Sequence, residues 1–193
     1  MHNLDLFRHT RYVLDASSAI NLYASGHMGD IIRSVPVRIA ISTYVKDYEA
    51  QNILELPDCN GVQQSAPIDL DSLVSSGELE LIFCETSSIA STVIVLSDAG
   101  IRGMGEKISG AIALENGWGL ILDDKHATAK LTAHLPHIQM LTTLDLVKYW
   151  SEQRISNNGI VRQVLQNIRS RGNYIVPKDH LLHSWASSYG EVK

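Results

Sequence analysis

The chain predicts an α/β fold of three layers, with a mostly parallel central sheet of about five strands between two layers of helices. Three observations carry this. Short, wholly apolar runs recur, such as Tyr12-Val13-Leu14, Ile39-Ala40-Ile41 and Leu120-Ile121-Leu122; unbroken apolar runs are the pattern of strands buried on both faces. Segments with apolar residues at helical spacing lie between them. Gly, Pro, Ser and Thr mark the junctions. Strands that alternate with helices build a parallel sheet wrapped on both sides.

Taken in order, residues 11–15 read as the first strand, closed by Asp15. Ser17 or Ser18 can cap a helix over residues 19–24, which Gly26 breaks. Residues 29–34 read as a further helical turn with Ile31 and Ile32 inward, ended by Pro36. Residues 37–41 form a second strand, and Ser42 or Thr43 caps a helix that carries Glu49. Residues 56–66 are polar and turn-rich, a surface loop. A short helix over 69–74 precedes a third strand at 80–84, from an edge of the sheet, and a helix over 86–96. Gly100, Gly103 and Gly105 form a flexible approach to a helix that starts at Glu106, with Ile108, Ala111, Ile112 and Leu114 at helical spacing. Residues 120–122 are the fourth strand, 125–133 a helix, and 138–141 the fifth strand. Thr142 or Thr143 caps a helix through Val147 and Trp150. A last helix over 159–168 has Val161, Val164, Leu165 and Ile168 as its apolar stripe, a candidate partner surface for which core packing is the favoured reading. Residues 172–193 read as a less regular arm broken at Pro177. The domain organisation expected is one α/β domain over 1–150 with a helical extension over 151–193 packed on it.

With 193 residues the chain can fill one core. No apolar run approaches the roughly 20 residues of a membrane span. The start, Met1-His2-Asn3-Leu4-Asp5, lacks the basic and apolar stretches of a signal peptide, so a cytoplasmic location is expected. The two cysteines, Cys59 and Cys84, share no metal-ligand spacing and read as thiols. Net charge is −5 and unevenly spread: residues 1–145 hold 9 basic against 18 acidic side chains, residues 146–193 hold 7 against 3. An acidic body with a basic tail suits an enzyme that holds a metal in one part and meets phosphate with another; a solvated helical face accounts for the tail equally well.

The candidate chemistry lies in acids at the ends of apolar runs. Asp15 closes the first strand, Glu49 follows the second, Glu106 opens a helix, and Asp123 and Asp124 close the fourth strand. In an open parallel sheet the loops after the strands share one edge, where ligands collect near a change in strand order. Several acids gathered there repel one another strongly in a partly desolvated place. A hard divalent cation with oxygen ligands, Mg2+ or Mn2+, relieves that. Each acid also has a structural reading, as a helix N-terminal residue or a turn former. The histidines show no zinc-type spacing with cysteine, and Trp118, Trp150 and Trp185 read as core or interface anchors.

Four stretches together resemble a PIN domain, the nuclease fold of VapC-type toxins, and specifically a longer subgroup with a helical C-terminal extension. Val13-Leu14-Asp15-Ala16-Ser17 is similar to the family's opening strand. Glu49 stands where the family carries a Glu on a helix. Gly103-Met104-Gly105-Glu106 followed by Ala111-Ile112-Ala113-Leu114 resembles its Gly-acid helix of small residues. Ile121-Leu122-Asp123-Asp124-Lys125, with Ala127 and Ala129, resembles the stretch carrying the last acid, with Leu122 where the family often has Thr. The resemblance covers residues 11–150. It implies a divalent-metal endoribonuclease that hydrolyses RNA phosphodiester bonds with Mg2+ or Mn2+. Asp15, Glu49, Glu106 and Asp124 would be its catalytic acids. Asp15, Glu106 and Asp124 would be the ligands, with Asp123 competing with Asp124 and Asp47 with Glu49. Ser17 would hydrogen-bond a ligand carboxylate or cap the first helix. The partners implied are an RNA substrate, a small antitoxin that covers the cleft, and a second copy of the chain. Two other readings stand beside this one: a PIN-like module that binds nucleic acid or protein without cleavage, and a small-molecule phosphatase on a similar sheet.

Overall fold

The computed structural model describes residues 6–84, 86–153 and 158–190. β1 (Arg11–Leu14) leads into α1 (Ala16–Ala24) and α2 (Met28–Ser34), then β2 (Arg38–Ser42). A π-helical segment, Val45–Glu49, precedes a small antiparallel pair, β3 (Asn52–Leu54) and β4 (Ser65–Pro67). Then come α3 (Asp71–Ser75), β5 (Leu79–Ile82), α4 (Ser87–Asp98), α5 (Met104–Asn116) and β6 (Gly119–Ile121). α6 (Lys125–His134), β7 (Met140–Leu141), α7 (Thr143–Gln153), α8 (Asn158–Arg171) and α9 (His183–Ser187) complete the order. Among the described residues no helix is long and apolar enough to cross a membrane. The start of the chain at residues 1–5, part of the expected extension (154–157) and the last residues, 191–193, lie outside the described residues.

The five strands expected from the apolar runs form one sheet, in the order β5-β2-β1-β6-β7, with every pairing parallel. β1 is central because all but its first residue is buried. Its side chains alternate in the way a two-sided strand requires. Tyr12 and Leu14, with Ile39, Ile41 and Ile121, pack on the face covered by α1, α2, α7 and α8. Val13, with Leu120 and Leu122, packs on the face covered by α4, α5 and α6. Two cores therefore sandwich the sheet, giving the three layers. Each such Val, Leu or Ile contributes about 1.5–3 kcal/mol by leaving water. The apolar stripe of α8 belongs to the first core, where Val161, Val164, Leu165 and Ile168 are buried.

Some elements differ from the sequence reading, each for a local reason. The cap of α1 is Asp15 rather than Ser17 or Ser18: its backbone is extended and its carboxylate accepts the Ser17 N–H, so the helix starts at Ala16. Ser42 does cap the next helical stretch, its Oγ accepting the Val45 N–H at 3.1 Å, but that stretch widens into a π turn that delivers Glu49. The end of the predicted surface loop is β4, held by pairing with β3 rather than by its own propensity. α5 starts at Met104, two residues before Glu106, because Gly103 is its N-cap. The fifth strand is only two residues long. α7 opens with a reciprocal cap: Asp145 Oδ2 accepts the Thr142 N–H at 2.8 Å, and Thr142 Oγ1 accepts the Asp145 N–H at 3.3 Å.

From β1 the chain works outward through β2 to β5, then crosses to β6 and β7 on the other side of β1. The order therefore reverses between β1 and β6. In open α/β sheets that is where ligands are bound, at the carboxyl ends of the strands. Asp15 follows β1 directly and Asp123-Asp124 follow β6, and the Asp15 N–H donates to the Ile121 carbonyl at 3.0 Å.

Candidate functional site

Four of the candidate acids lie along this edge, each beside a helix N-terminus. Asp15 Oδ2 accepts the Ser17 N–H at 3.2 Å and the Ser17 hydroxyl at 2.9 Å, capping α1. Asp124 Oδ1 accepts the Ala127 N–H at 2.7 Å, capping α6. Glu106 curls back over Gly103, the N-cap of α5, with its carboxyl carbon 2.9 Å from where a Cβ would stand. Glu49 reaches across from the π turn, and its Oε1 accepts the Gly105 N–H at 2.9 Å on the same helix. Asp47 points elsewhere, to Lys46 at 3.2 Å, so Glu49 is the acid of that segment that reaches α5.

The glycine before Glu106 has a specific task. A Cβ on Gly105 would lie 1.8 Å from Glu49 Oε2. Only a residue without a side chain lets the Glu49 carboxylate rest on the first turn of α5. The expected flexible approach is thus a contact surface rather than a hinge.

The acids feel one another's charge. Burial pushes the Asp15 carboxyl up to about 6 from 3.8; the Ser17 hydroxyl and the N–H groups of Ser17 and Ala16 pull it down, and the charge of Glu106 adds to the rise. Burial also raises Glu106, followed by the charge of Asp124; the Gly103 N–H opposes, Glu49 raises further, and Lys130 lowers. Glu106 is therefore the electrostatic hub of the group. Asp15 is 4% exposed, and its Oδ1 has no hydrogen-bond partner among the described residues. An unpaired carboxylate oxygen out of water costs on the order of 1–3 kcal/mol or more.

Asp123 stands apart from these four. Its Oδ1 accepts the Thr143 N–H at 2.8 Å, and its Oδ2 accepts Thr143 Oγ1 at 2.5 Å and Asn21 Nδ2 at 2.7 Å. The protein packed around it still pushes its carboxyl pKa upward, against those three bonds. Its N–H donates to Ser17 Oγ at 3.3 Å, the same hydroxyl that serves Asp15. Ser17 is the joint between the two loops. Asn21 and Thr143 had no place among the sequence-level candidates. The available signal was Asn21 itself, a polar residue one helical turn after Ser17 on an otherwise apolar face.

Beside the acids lies an open cleft of about 340 Å3, lined by Ser17, Ile20, Asn21, Asp123, Asp124, Gly172, Asn173 and Tyr174. The arm after α8 is its far wall. Gly172 is again required by closeness, since a Cβ there would lie 2.5 Å from Asn21 Oδ1. Asn173 takes a left-handed φ of 54°. Burial raises the Tyr174 phenol pKa, and the charges of Asp123 and Asp145 add to it.

As they stand, the side chains do not close into a ring: among the described residues no three His, Cys, Asp or Glu groups are close enough to share one ion. Like charges repel, and each carboxylate has a helix N–H within reach. In chemistry the set does fit a hard divalent cation, because every donor is a carboxylate oxygen and the most buried one, Asp15 Oδ1, lacks a partner. The fold and site define a class, an α/β protein with a carboxylate cluster at the switch point of a parallel sheet. No protein-family model, curated protein or solved structure matches the chain.

Proposed function

We propose that the chain is a divalent-metal-dependent endoribonuclease of the PIN type, hydrolysing RNA phosphodiester bonds. The observation that carries this is the buried, unpartnered Oδ1 of Asp15 beside the charge of Glu106. The choice of RNA rests on the resemblance of the four acid-bearing stretches. Asp15, Glu106 and Asp124 would hold Mg2+ or Mn2+, with Glu49 closing the set directly or through water. Once bound, the ion supplies hydroxide near neutral pH and offsets charge at the attacked phosphate. Ser17 orients the Asp15 carboxylate, and Gly105 keeps the Glu49 carboxylate at the first turn of α5. In this reading the RNA would enter by the open cleft that Asp124 borders. An antitoxin covering that cleft and a second copy of the chain follow from the same resemblance.

A second reading has its own support. Three of the four acids, Asp15, Glu49 and Asp124, have a structural task at a helix N-terminus, which suits a PIN-like module that binds without cleaving. One experiment separates them. Single-stranded RNA is incubated with the protein in Mg2+ or Mn2+, with EDTA as control, beside Asp15→Asn and Glu106→Gln. Loss of an outer partner of a metal costs roughly 10–100-fold, so loss of a ligand should cost at least about 100-fold. Binding without cleavage by the unaltered protein assigns the module. Hydrolysis of a simple phosphate ester with RNA untouched assigns a phosphatase. Cleavage that persists in EDTA, or in both variants, removes the proposal.

A further inference from the structure

The geometry points to Asp123 as a positioning residue that sets Asp124 against Asp15, and not as a metal ligand. It is the best-bonded acid at this edge. Three donors from two helices hold its two oxygens: Asn21 from α1, and the N–H and hydroxyl of Thr143 from α7. Asn21 is buried and Thr143 has no exposed surface. A carboxylate gripped this way cannot turn toward an ion without abandoning two buried donors, each costing on the order of 1–3 kcal/mol. Both aspartates border the cleft, but among the described residues Asp124 makes a single side-chain bond, to the Ala127 N–H, and so keeps an oxygen to offer.

The bonds form one continuous path. Thr143 fixes Asp123, the Asp123 N–H fixes Ser17 Oγ, and Ser17 Oγ fixes Asp15 Oδ2. Asn21 ties the same node to the body of α1, and its Oδ1 lies against Gly172 of the arm that walls the cleft. Thr143 is thus the far end of a path that ends on the Asp15 carboxylate. The predicted effect on metal affinity rests on the metal-dependent reading above; the positioning itself does not.

The test uses the partners of Asp123, none of which is a candidate ligand. Thr143→Val keeps the backbone bond and the volume but removes the hydroxyl from Asp123 Oδ2. Were Asp123 a ligand, Thr143 would be its outer partner and Thr143→Val would weaken ion binding as well, so Asp123→Asn supplies the contrast. An amide there keeps an oxygen for the Thr143 N–H, so a positioning role makes its loss of affinity no larger than that of Thr143→Val, whereas removing a ligand carboxylate costs well beyond the roughly 10–100-fold of an outer partner and would overturn the assignment. Mn2+ affinity of the full chain, followed by electron paramagnetic resonance, should weaken roughly 10–100-fold in Thr143→Val, as for other outer-shell partners. Thr143→Ser, which retains both bonds, should bind as the unaltered protein does. Asn21→Ala removes the other partner and should weaken binding in the same direction, so the result does not hang on one variant. Amide hydrogen exchange over residues 123–127 is measured alongside, without metal. It should speed up in Thr143→Val and not in Thr143→Ser. Unchanged or tighter Mn2+ binding in Thr143→Val, or unchanged exchange, overturns the assignment. If the unaltered protein binds no Mn2+, the metal-dependent reading falls, and the exchange comparison alone decides the role of Asp123.

Discussion

Replacing Asp15 by Asn should make the metal-free protein more stable at neutral pH. The Asp15 carboxyl sits at about 6 in the fold against an ordinary 3.8, chiefly through burial. A pKa difference of about two, at about 1.4 kcal/mol for each, makes the ionised form cost about 3 kcal/mol. The sign follows from proton counts. Below about pH 4 both states hold the proton and Asp15 contributes nothing. Between about 4 and 6 the unfolded chain has released it while the folded chain retains it, so stability falls as pH rises. Above about 6 the penalty is complete. An Asn keeps an oxygen for the Ser17 donors and removes the charge. It also places an unpartnered amide near the former Oδ1, costing about 1 kcal/mol or more. The expected net gain is about 1–2 kcal/mol. The assay is urea unfolding in EDTA for both proteins, near pH 7.5 and again near pH 4. The variant should be the more stable near pH 7.5 and lose that advantage near pH 4, where only the amide cost of about 1 kcal/mol remains. Millimolar Mg2+ should then stabilise the unaltered protein and leave Asp15→Asn where it was. A variant no more stable near pH 7.5, or an advantage independent of pH, refutes the account of a buried and uncompensated charge.

Gly105→Ala should displace Glu49, because the new Cβ would lie 1.8 Å from its Oε2. The lost Gly105 N–H bond costs about 1–3 kcal/mol and better helix propensity returns about 1, so thermal unfolding shifts modestly while RNA cleavage falls about tenfold or more; full activity would free Glu49 from any role. Gly119→Ala should destabilise the fold by about 1–3 kcal/mol through overpacking, since its Cβ would lie 2.1 Å from the buried Tyr12 ring. Denaturant unfolding reads this directly, and an unchanged midpoint would show that the ring can move aside.

The layers and the sheet were legible because they follow from period and burial. Runs such as Tyr12-Val13-Leu14 admit few environments other than a strand covered on both faces. That Asp15 and Asp124 follow neighbouring strands, β1 and β6, was legible for a topological reason, the shared edge of a parallel sheet. What escaped the sequence depends on contact between distant segments. β4 exists only because residues 65–67 find residues 52–54. The reason for Gly105 lies 56 residues away, in Glu49. The separate tasks of Asp123 and Asp124 are invisible in an Asp-Asp pair, since the choice is made by where Thr143 and Asn21 stand. Asp47 and Glu49 were likewise inseparable until the π turn sent one to Lys46 and the other to α5.

The capping tasks of the acids and a metal-binding task are not exclusive, and magnitudes show why the first does not exhaust the second. Three helices, α1, α5 and α6, direct their N-termini at this edge. Each N-terminus carries about half a positive charge, so together they supply roughly +1.5. Four carboxylates stand against them. With all four ionised, roughly −2.5 is left uncompensated by the helices; burial is the chief cause of the raised Asp15 and Glu106 carboxyls, and the charges of the neighbouring acids add to it. Stability alone would favour fewer acids here, with Asn or Ser as equally good caps. Under the metal-dependent proposal, one divalent ion would nearly balance the remainder. Stability given up at a site in this way is a common mark of function.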